Sequence, residues 1–284
     1  MVAVTAIVAG FAACGDDDDR SELLEGKAVC ARYAEEAAGI AAVRLERRRD
    51  AREGFRRYRD LVRKTTQDLA PLGRSEPEAE ALRMAMRKFG SALLRLERAL
   101  ANGNRPLAER RFRAFVEVES EQFLMARRAR LPECSREVNR TFRDPRSGLS
   151  FEYPRGLTPH GRGETRRPQG RRTVAQLHWD DRHGILLRRL GPPVEPITSA
   201  AARASFRKFL EQSNGEEQAP ITSNGIRMLR GRTAVEDPKD GRWVGEVRLF
   251  NGGGANWLLE CLSGDRYPFL IRRACIVATE SVRF

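Results

Sequence analysis

Apolar residues recur every three or four positions in the first half of the chain, which is the spacing of one face of an α-helix. Stripes of this kind cover residues 21–43, 55–72, 82–100 and 106–130. The first stripe loses its phase at Arg44, so it indicates either a bend or the start of another helix. Ser75 and Glu78 are three residues apart and predict a capping box. We therefore predict an all-α hairpin bundle over residues 21–138, built from three long helices or four shorter ones.

After Asn139 the spacing of apolar residues changes to strict alternation, which is typical of half-buried β-strands. Leu149, Phe151 and Tyr153 alternate with polar neighbours and predict the first strand. Later strands are predicted at 174–179, 184–190, 243–249 and 256–262, and helices at 198–213 and 267–279. Asn224-Gly225 predicts a tight hairpin turn. We expect an antiparallel sheet flanked by helices over residues 141–284, and hence an α+β protein.

Two stretches of this second half resemble a known family. They are the opening FRDPRSGLSFEYPRGLTP and the ending ECLSGDRYPFLIRRACIVATESVRF. With the single helix between the predicted strands and the long aromatic hairpin, they resemble the PsbP-like domain of exported lipoproteins. The resemblance implies an α/β/α sandwich that binds or assembles and usually lacks catalytic residues. It also implies a short disulfide after the last long strand.

The N-terminus is apolar or small from Val2 to Ala13 and is followed by Cys14, a glycine and four aspartates. A span needs about 20 residues, so this run is too short to cross a bilayer as a helix. It fits the apolar region of a signal peptide, and Phe11-Ala12-Ala13 before Cys14 resembles the lipobox of bacterial lipoproteins.

We therefore predict a signal peptide at 1–13, a palmitate-bearing lipid anchor on Cys14, and an acidic tether over 14–20. Phe11 stands where Leu is usual, and no basic residue precedes the apolar run. A start codon placed too far downstream would explain the missing charge. The alternative is an ordinary apolar terminus with a chance cysteine.

Cys30, Cys134, Cys261 and Cys275 remain after Cys14, and four cysteines allow three pairings. No C-x-x-C occurs and no histidine is near, so a zinc site has little support. In an exported protein such cysteines favour disulfides. The first two flank the helical half and the last two lie close together, which favours the Cys30–Cys134 and Cys261–Cys275 pairs.

Composition adds a basic charge carried almost wholly by arginine. The chain of 284 residues has 52 Lys plus Arg against 39 Asp plus Glu, a net charge of +13. Its mean hydropathy of −0.55 excludes a polytopic membrane protein. An arginine skew also arises from genomic base composition, so the charge alone does not identify a ligand.

Basic residues are concentrated in two places. One is the 44–59 stretch, interpreted as a solvated helix face or as a surface for anionic lipid headgroups or wall polymer. The other is a loop and the best candidate for an anion contact: Arg162, Arg166, Arg167, Arg171 and Arg172. The alternative is again a solvated loop. Aromatic residues are not interleaved with this loop, and an exported protein does not meet chromosomal DNA, so we expect no nucleic-acid partner.

His178, Asp180, Asp181 and His183 form the sharpest metal or enzymatic candidate, because imidazole and carboxylate suit a transition metal. Two acids before a glycine are also ordinary hairpin chemistry. No nucleophile elbow or phosphate-binding loop motif occurs. We therefore expect no cofactor and no catalysis.

These features predict a lipid-anchored binding or assembly module at the outer face of the cytoplasmic membrane, in the cell envelope. Expected partners are the membrane, an anionic lipid or wall polymer, and another envelope protein. The alternative is an envelope enzyme or metal-binding protein that uses His178, Asp180 and His183.

Overall fold

The computed structural model describes residues 16–42, 48–135, 139–154, 157–159, 172–179, 183–192, 196–237, 241–264 and 267–284. The chain divides into two compact units. The first comprises Met1–Glu97 and Met125–Ser135, and the second comprises Arg98–Leu124 and Arg136–Phe284. The protein is α+β, as expected, with helices first and an antiparallel sheet after them.

The helical half contains α1 (Asp16–Ala42), α2 (Arg48–Asp68), α3 (Leu72–Ser75), α4 (Pro77–Ala101), α5 (Arg105–Arg128) and a 3-10 turn (Pro132–Cys134). Four of these helices are long, and Arg44, where the first predicted stripe loses its phase, lies in the undescribed 43–47 segment between α1 and α2. The segment interpreted as a tether forms the beginning of α1 from Asp16 onward. None of the described helices combines the length and apolar composition that a bilayer span needs.

The core of the first unit contains an aromatic cluster on α1, α2 and α4. Tyr33 and Tyr58 are buried, and their hydroxyl oxygens are 2.9 Å apart. Phe89 is fully buried and meets Tyr58 edge-on, with ring centroids 5.7 Å apart. Because each buried hydroxyl has the other as a partner, the aromatic rings are buried without leaving an unsatisfied polar group.

The predicted capping box at Ser75 and Glu78 is wrong. Helix α4 begins at Pro77, after the extended residue Glu76. The Ser75 hydroxyl donates to the Leu72 carbonyl oxygen at 3.1 Å and so closes the preceding short helix α3.

The described residues that follow form nine strands: β1 (Asn139–Arg143), β2 (Ser150–Pro154), β3 (Thr158–Pro159), β4 (Arg172–His178), β5 (Gly184–Gly191), β6 (Gly215–Ser223), β7 (Ile226–Asp237), β8 (Gly241–Gly252) and β9 (Ala255–Gly264). Strands β1 and β2 form a separate hairpin, and the other seven form an antiparallel sheet in the order β3-β4-β5-β9-β8-β7-β6. The predicted turn between β6 and β7 is present, with Asn224 and Gly225 at φ values of 49° and 75°. Two positive φ values in a two-residue loop match the twist of a hairpin.

Helices α6 (Ala200–Glu211) and α7 (Pro268–Ser281) cover opposite faces of the sheet. Phe206 and Leu210 of α6 form a core with Leu229, Val247 and Leu258. Cys261 lies an odd number of residues after Leu258 on β9, so its side chain is on the other face, where it bonds to Cys275 of α7. The second unit is therefore a helix–sheet–helix sandwich, as predicted.

Part of α5 belongs with the sheet. Glu117 accepts hydrogen bonds from the backbone N–H groups of Phe269 and Leu270 at 2.9 and 3.0 Å, at the start of α7. Arg273 of α7 forms a buried ion pair with Glu119 at 3.3 Å. These contacts give a physical reason why Arg98–Leu124 groups with the second unit.

Candidate functional site

The predicted anchor and the predicted basic loop lie mostly outside the described residues. Cys14 and the 1–13 segment precede the first described residue. Four arginines of the loop also lie outside the described residues, in the 160–171 segment: Arg162, Arg166, Arg167 and Arg171. Arg172 begins strand β4, and only its backbone is described. The roles assigned to these residues therefore stay predictions.

Both predicted disulfides are present. Cys30 of α1 is bonded to Cys134 of the 3-10 turn, with Cα atoms 4.5 Å apart. Cys261 of β9 is bonded to Cys275 of α7, with Cα atoms 5.8 Å apart. Each bridge lies within one unit, and all four cysteines are buried.

The residues of the metal hypothesis are only partly described. Asp180 and Asp181 lie outside the described residues. The His183 ring is 6% exposed and packs against Trp243 and Tyr267, with centroids 4.9 and 5.1 Å away. Within the described segments, no group of three or more potential metal ligands occurs. The contacts of His183 are those of a packed aromatic side chain.

The most distinctive polar feature of the second unit is a cluster of arginines between the sheet and α7. Strand β7 carries Arg230 and Arg232 two residues apart, so both project from one face. Antiparallel pairing places Arg248 of β8 directly opposite Arg230, and Glu246 opposite Arg232. Cys261 on β9 lies opposite Glu246 and is bonded to α7, which identifies this face as the one that α7 covers.

These arginines line a cavity of about 270 Å³, which we call the arginine pocket. Its polar lining consists of Gln218, Arg230, Arg232, Glu246, Arg248, Ser263 and Arg272. Arg248 is 3% exposed and forms the floor, whereas Arg232 and Arg272 are exposed at the rim. The lining therefore carries four positive charges and one negative charge.

The buried guanidinium groups have only part of their hydrogen-bonding capacity filled. Arg248 donates from Nη2 to Glu246 at 2.7 Å and from Nη1 to the Val247 carbonyl oxygen at 3.3 Å. Arg230 donates from Nη2 to Gln218 at 3.0 Å. The Nε atoms of Arg230 and Arg248 are buried and have no acceptor among the described residues. Buried donors are normally satisfied, so two such atoms in one pocket need a physical explanation.

The surroundings of Arg248, at the floor of the pocket, disfavour the charged form of its guanidinium. Burial lowers the pKa of Arg248 below its ordinary value, and the nearby charge of Arg230 lowers it further. Glu246 acts in the opposite direction through its charge and its hydrogen bond. One carboxylate therefore only partly offsets the cost of burying a guanidinium beside another.

A cavity in the first unit is also rich in arginine, but its charges are differently arranged. It has a volume of about 580 Å³ between α2 and α4. There Arg59 pairs with Glu97 at 2.9 Å, and Arg83 pairs with Glu80 at 2.6 Å. These arginines already have carboxylate partners, so this cavity is a weaker candidate for anion binding.

A third cavity, of about 460 Å³, lies between α6 and the sheet. Its lining is mainly apolar and includes Ile197, Phe206, Phe209 and Leu258. Several of these side chains also form the core beneath α6. The cavity is therefore an opening at the edge of that core.

Sequence reasoning did not single out the arginine pocket. Its local signal was the two-residue spacing of Arg230 and Arg232 after the predicted Asn224-Gly225 turn, and of Glu246 and Arg248 on the strand predicted at 243–249. Charged alternation on a strand usually indicates a solvated face, and here α7 covers that face.

Comparisons with known proteins give a structural likeness but no family. No family model matches the chain, and no curated protein matches it. The solution structure of cyanobacterial PsbP (CyanoP) from Synechocystis sp. PCC 6803 is similar, with a TM-score of 0.37 and 12% sequence identity. The similarity covers 51% of this chain and 91% of that one.

Proposed function

We propose that this protein is an exported, lipid-anchored module of the cell envelope that acts by binding and not by catalysis. The observation that carries the proposal is the pair of buried disulfides, one within each unit. Disulfides persist in oxidising compartments, whereas cytosolic thiols are kept reduced. Export therefore agrees with the cysteine chemistry of both units.

The anchor follows from the remaining cysteine. Of the five cysteines, four are bonded to one another, and the fifth is Cys14. Cys14 follows an apolar run of signal-peptide length and precedes an acidic stretch. An acylated Cys14 would hold the protein at the outer face of the cytoplasmic membrane, where it would meet anionic lipid, wall polymer and other envelope proteins.

Binding is favoured over catalysis by what the described residues bring together. The second unit offers a small, strongly basic cavity and an aromatic cluster around His183. The alternative, an enzyme or metal protein using His178, Asp180 and His183, gains no support from this packing of the His183 ring.

The proposal is tested by expressing the chain and its Cys14→Ser variant in a bacterial host supplied with labelled palmitate. Wild type should incorporate the label and sediment with membranes, whereas Cys14→Ser should do neither and should be released to the soluble fraction. Non-reducing peptide mapping of both proteins serves as the folding control, since both should contain the Cys30–Cys134 and Cys261–Cys275 bridges. Equal membrane partitioning of the two chains would disprove the anchor, and free thiols at the four other cysteines would disprove export.

A further inference from the structure

We propose that the arginine pocket is a binding site for the phosphate group of a phosphomonoester or of inorganic phosphate. The site is separate from the predicted loop at 162–172, and it does not depend on the lipid anchor. It is built from β6, β7, β8, β9 and α7, all within the second unit.

The first argument is the placement of like charges. Arg230 and Arg248 face each other directly across two paired strands, where opposing side chains are about 5 Å apart at Cβ. Like charges at such positions destabilise a sheet, and burial increases that cost. In the described part of the chain, Glu246 is the one carboxylate paired with Arg248 at the floor. A bound anion would supply the missing negative charge.

The second argument is the set of open donors. The Nε atoms of Arg230 and Arg248 are buried without an acceptor among the described residues, and Arg248 as a whole is 3% exposed. At the rim, Arg232 and Arg272 form no ion pair with another described residue. Donors therefore line the cavity from its floor to its mouth.

The third argument concerns the shape and charge of the ligand. A phosphate monoester presents three acceptor oxygens and a charge of about −1.5 to −2 at neutral pH. A carboxylate presents two oxygens and a single charge. A pocket with four arginines and one glutamate has more donors and more positive charge than one carboxylate uses. The volume of about 270 Å³ suits a phosphate with a small substituent.

The helix dipole is not the source of binding here. Pro268 begins α7 and lines the pocket, but the first free N–H groups of that helix, those of Phe269 and Leu270, donate to Glu117. The anion would therefore be held by guanidinium groups, and substituting arginines should remove the site.

The test uses the full chain with Cys14→Ser, so that no acyl chain inserts into vesicles. Calorimetric titration with inorganic phosphate, in sodium chloride of matched ionic strength, should show saturable binding. The Arg232→Ala/Arg272→Ala variant should bind phosphate at least about ten-fold more weakly, because it loses two guanidinium groups that would donate charge-assisted hydrogen bonds to the anion. Both residues are exposed, so the variant should keep the wild-type unfolding temperature.

The matched control is Arg140→Ala/Arg227→Ala, because both residues are exposed arginines on strands of the second unit, lie outside the pocket lining, and together carry the same two charges as the rim pair. The phosphate affinity of this control should be close to that of wild type. Equal weakening of phosphate binding by the control and by the rim variant would show that only net charge matters, and it would overturn the site. Absence of saturable phosphate binding, or acetate binding as tight as phosphate, would also overturn the proposal.

Two further arms distinguish the source of the phosphate. Vesicles containing phosphatidate present the monoester at a membrane, whereas glycerol phosphate presents it in solution. Rim-dependent binding to the vesicles, at a level above that to phosphatidylglycerol vesicles, identifies a lipid headgroup. Rim-dependent binding to glycerol phosphate alone identifies a soluble ligand. Both results support a phosphomonoester as the ligand, whereas rim-dependent binding of inorganic phosphate without either of them supports free phosphate.

Discussion

The buried ion pair between α5 and α7 allows a quantitative prediction about the second unit. Arg273 is 1% exposed and Glu119 is 7% exposed, with 3.3 Å between Nη1 and Oε2. The Arg273 guanidinium also lies over the Phe123 ring, 5.1 Å from its centroid. With an effective dielectric constant of about 20, two unit charges at this distance attract each other by about 5 kcal/mol.

Replacing Glu119 by Leu removes the carboxylate and leaves the Arg273 charge buried. We expect Glu119→Leu to lower the free energy of unfolding of the second unit by about 3–5 kcal/mol, the usual cost of breaking a buried pair. Replacing both partners, as Glu119→Leu/Arg273→Met, leaves no unpaired charge at this position. The double variant should therefore recover most of that loss, since apolar replacement of a buried pair is often neutral.

Guanidinium denaturation followed by tryptophan fluorescence measures this quantity in the correct part of the chain. All three tryptophans, Trp179, Trp243 and Trp257, belong to the second unit. A loss below about 1 kcal/mol for Glu119→Leu would refute the reasoning, because it would mean that Arg273 does not depend on this carboxylate. A double variant no more stable than Glu119→Leu would refute it as well.

Two further predictions concern Glu117 and the longer disulfide. Burial raises the pKa of Glu117 above its ordinary value of 4.5, so its contribution to stability is full below that value and is lost as the pH rises through the folded-state pKa. Glu117→Gln should therefore gain thermal stability relative to wild type as the pH is raised from about 4 to 7, and a constant difference in unfolding temperature would contradict this. Removing the Cys30–Cys134 bridge, which spans 104 residues, with Cys30→Ser/Cys134→Ser should cost the first unit about 2–5 kcal/mol, measured by helical circular dichroism during urea unfolding. An unchanged urea midpoint would contradict the stabilising role of this bridge.

Local features of the second unit could be predicted because their causes lie within a few residues. Alternation at Leu149, Phe151 and Tyr153 reflects a strand with one buried face, and all three side chains are buried. The helix predicted at 198–213 is observed as α6, where the Ser199 hydroxyl oxygen accepts from the Ala202 N–H at 3.0 Å. In each case neighbouring side chains determine the backbone conformation.

Other features depend on partners distant in sequence. The position of β9 between β5 and β8 follows from pairing that no local pattern specifies. The Ser75 prediction was wrong because a serine next to a helix start serves equally well at the end of the preceding turn. The grouping of Arg98–Leu124 with the sheet depends on Glu117 and Glu119, whose partners lie about 150 residues later.

The arginine pocket depends both on local sequence and on partners distant in sequence. The two-residue spacing of Arg230 and Arg232 is visible in the sequence. The pairing of Arg230 with Arg248 across the strands depends on the register of β7 with β8. The burial of Arg248 requires α7, which the Cys261–Cys275 bridge ties to the adjacent strand. An apolar residue at position 248 would fill the same space without burying a charge beside another, and such replacements are often stabilising. A guanidinium that costs stability at this position therefore supports a binding role for the pocket over a structural one.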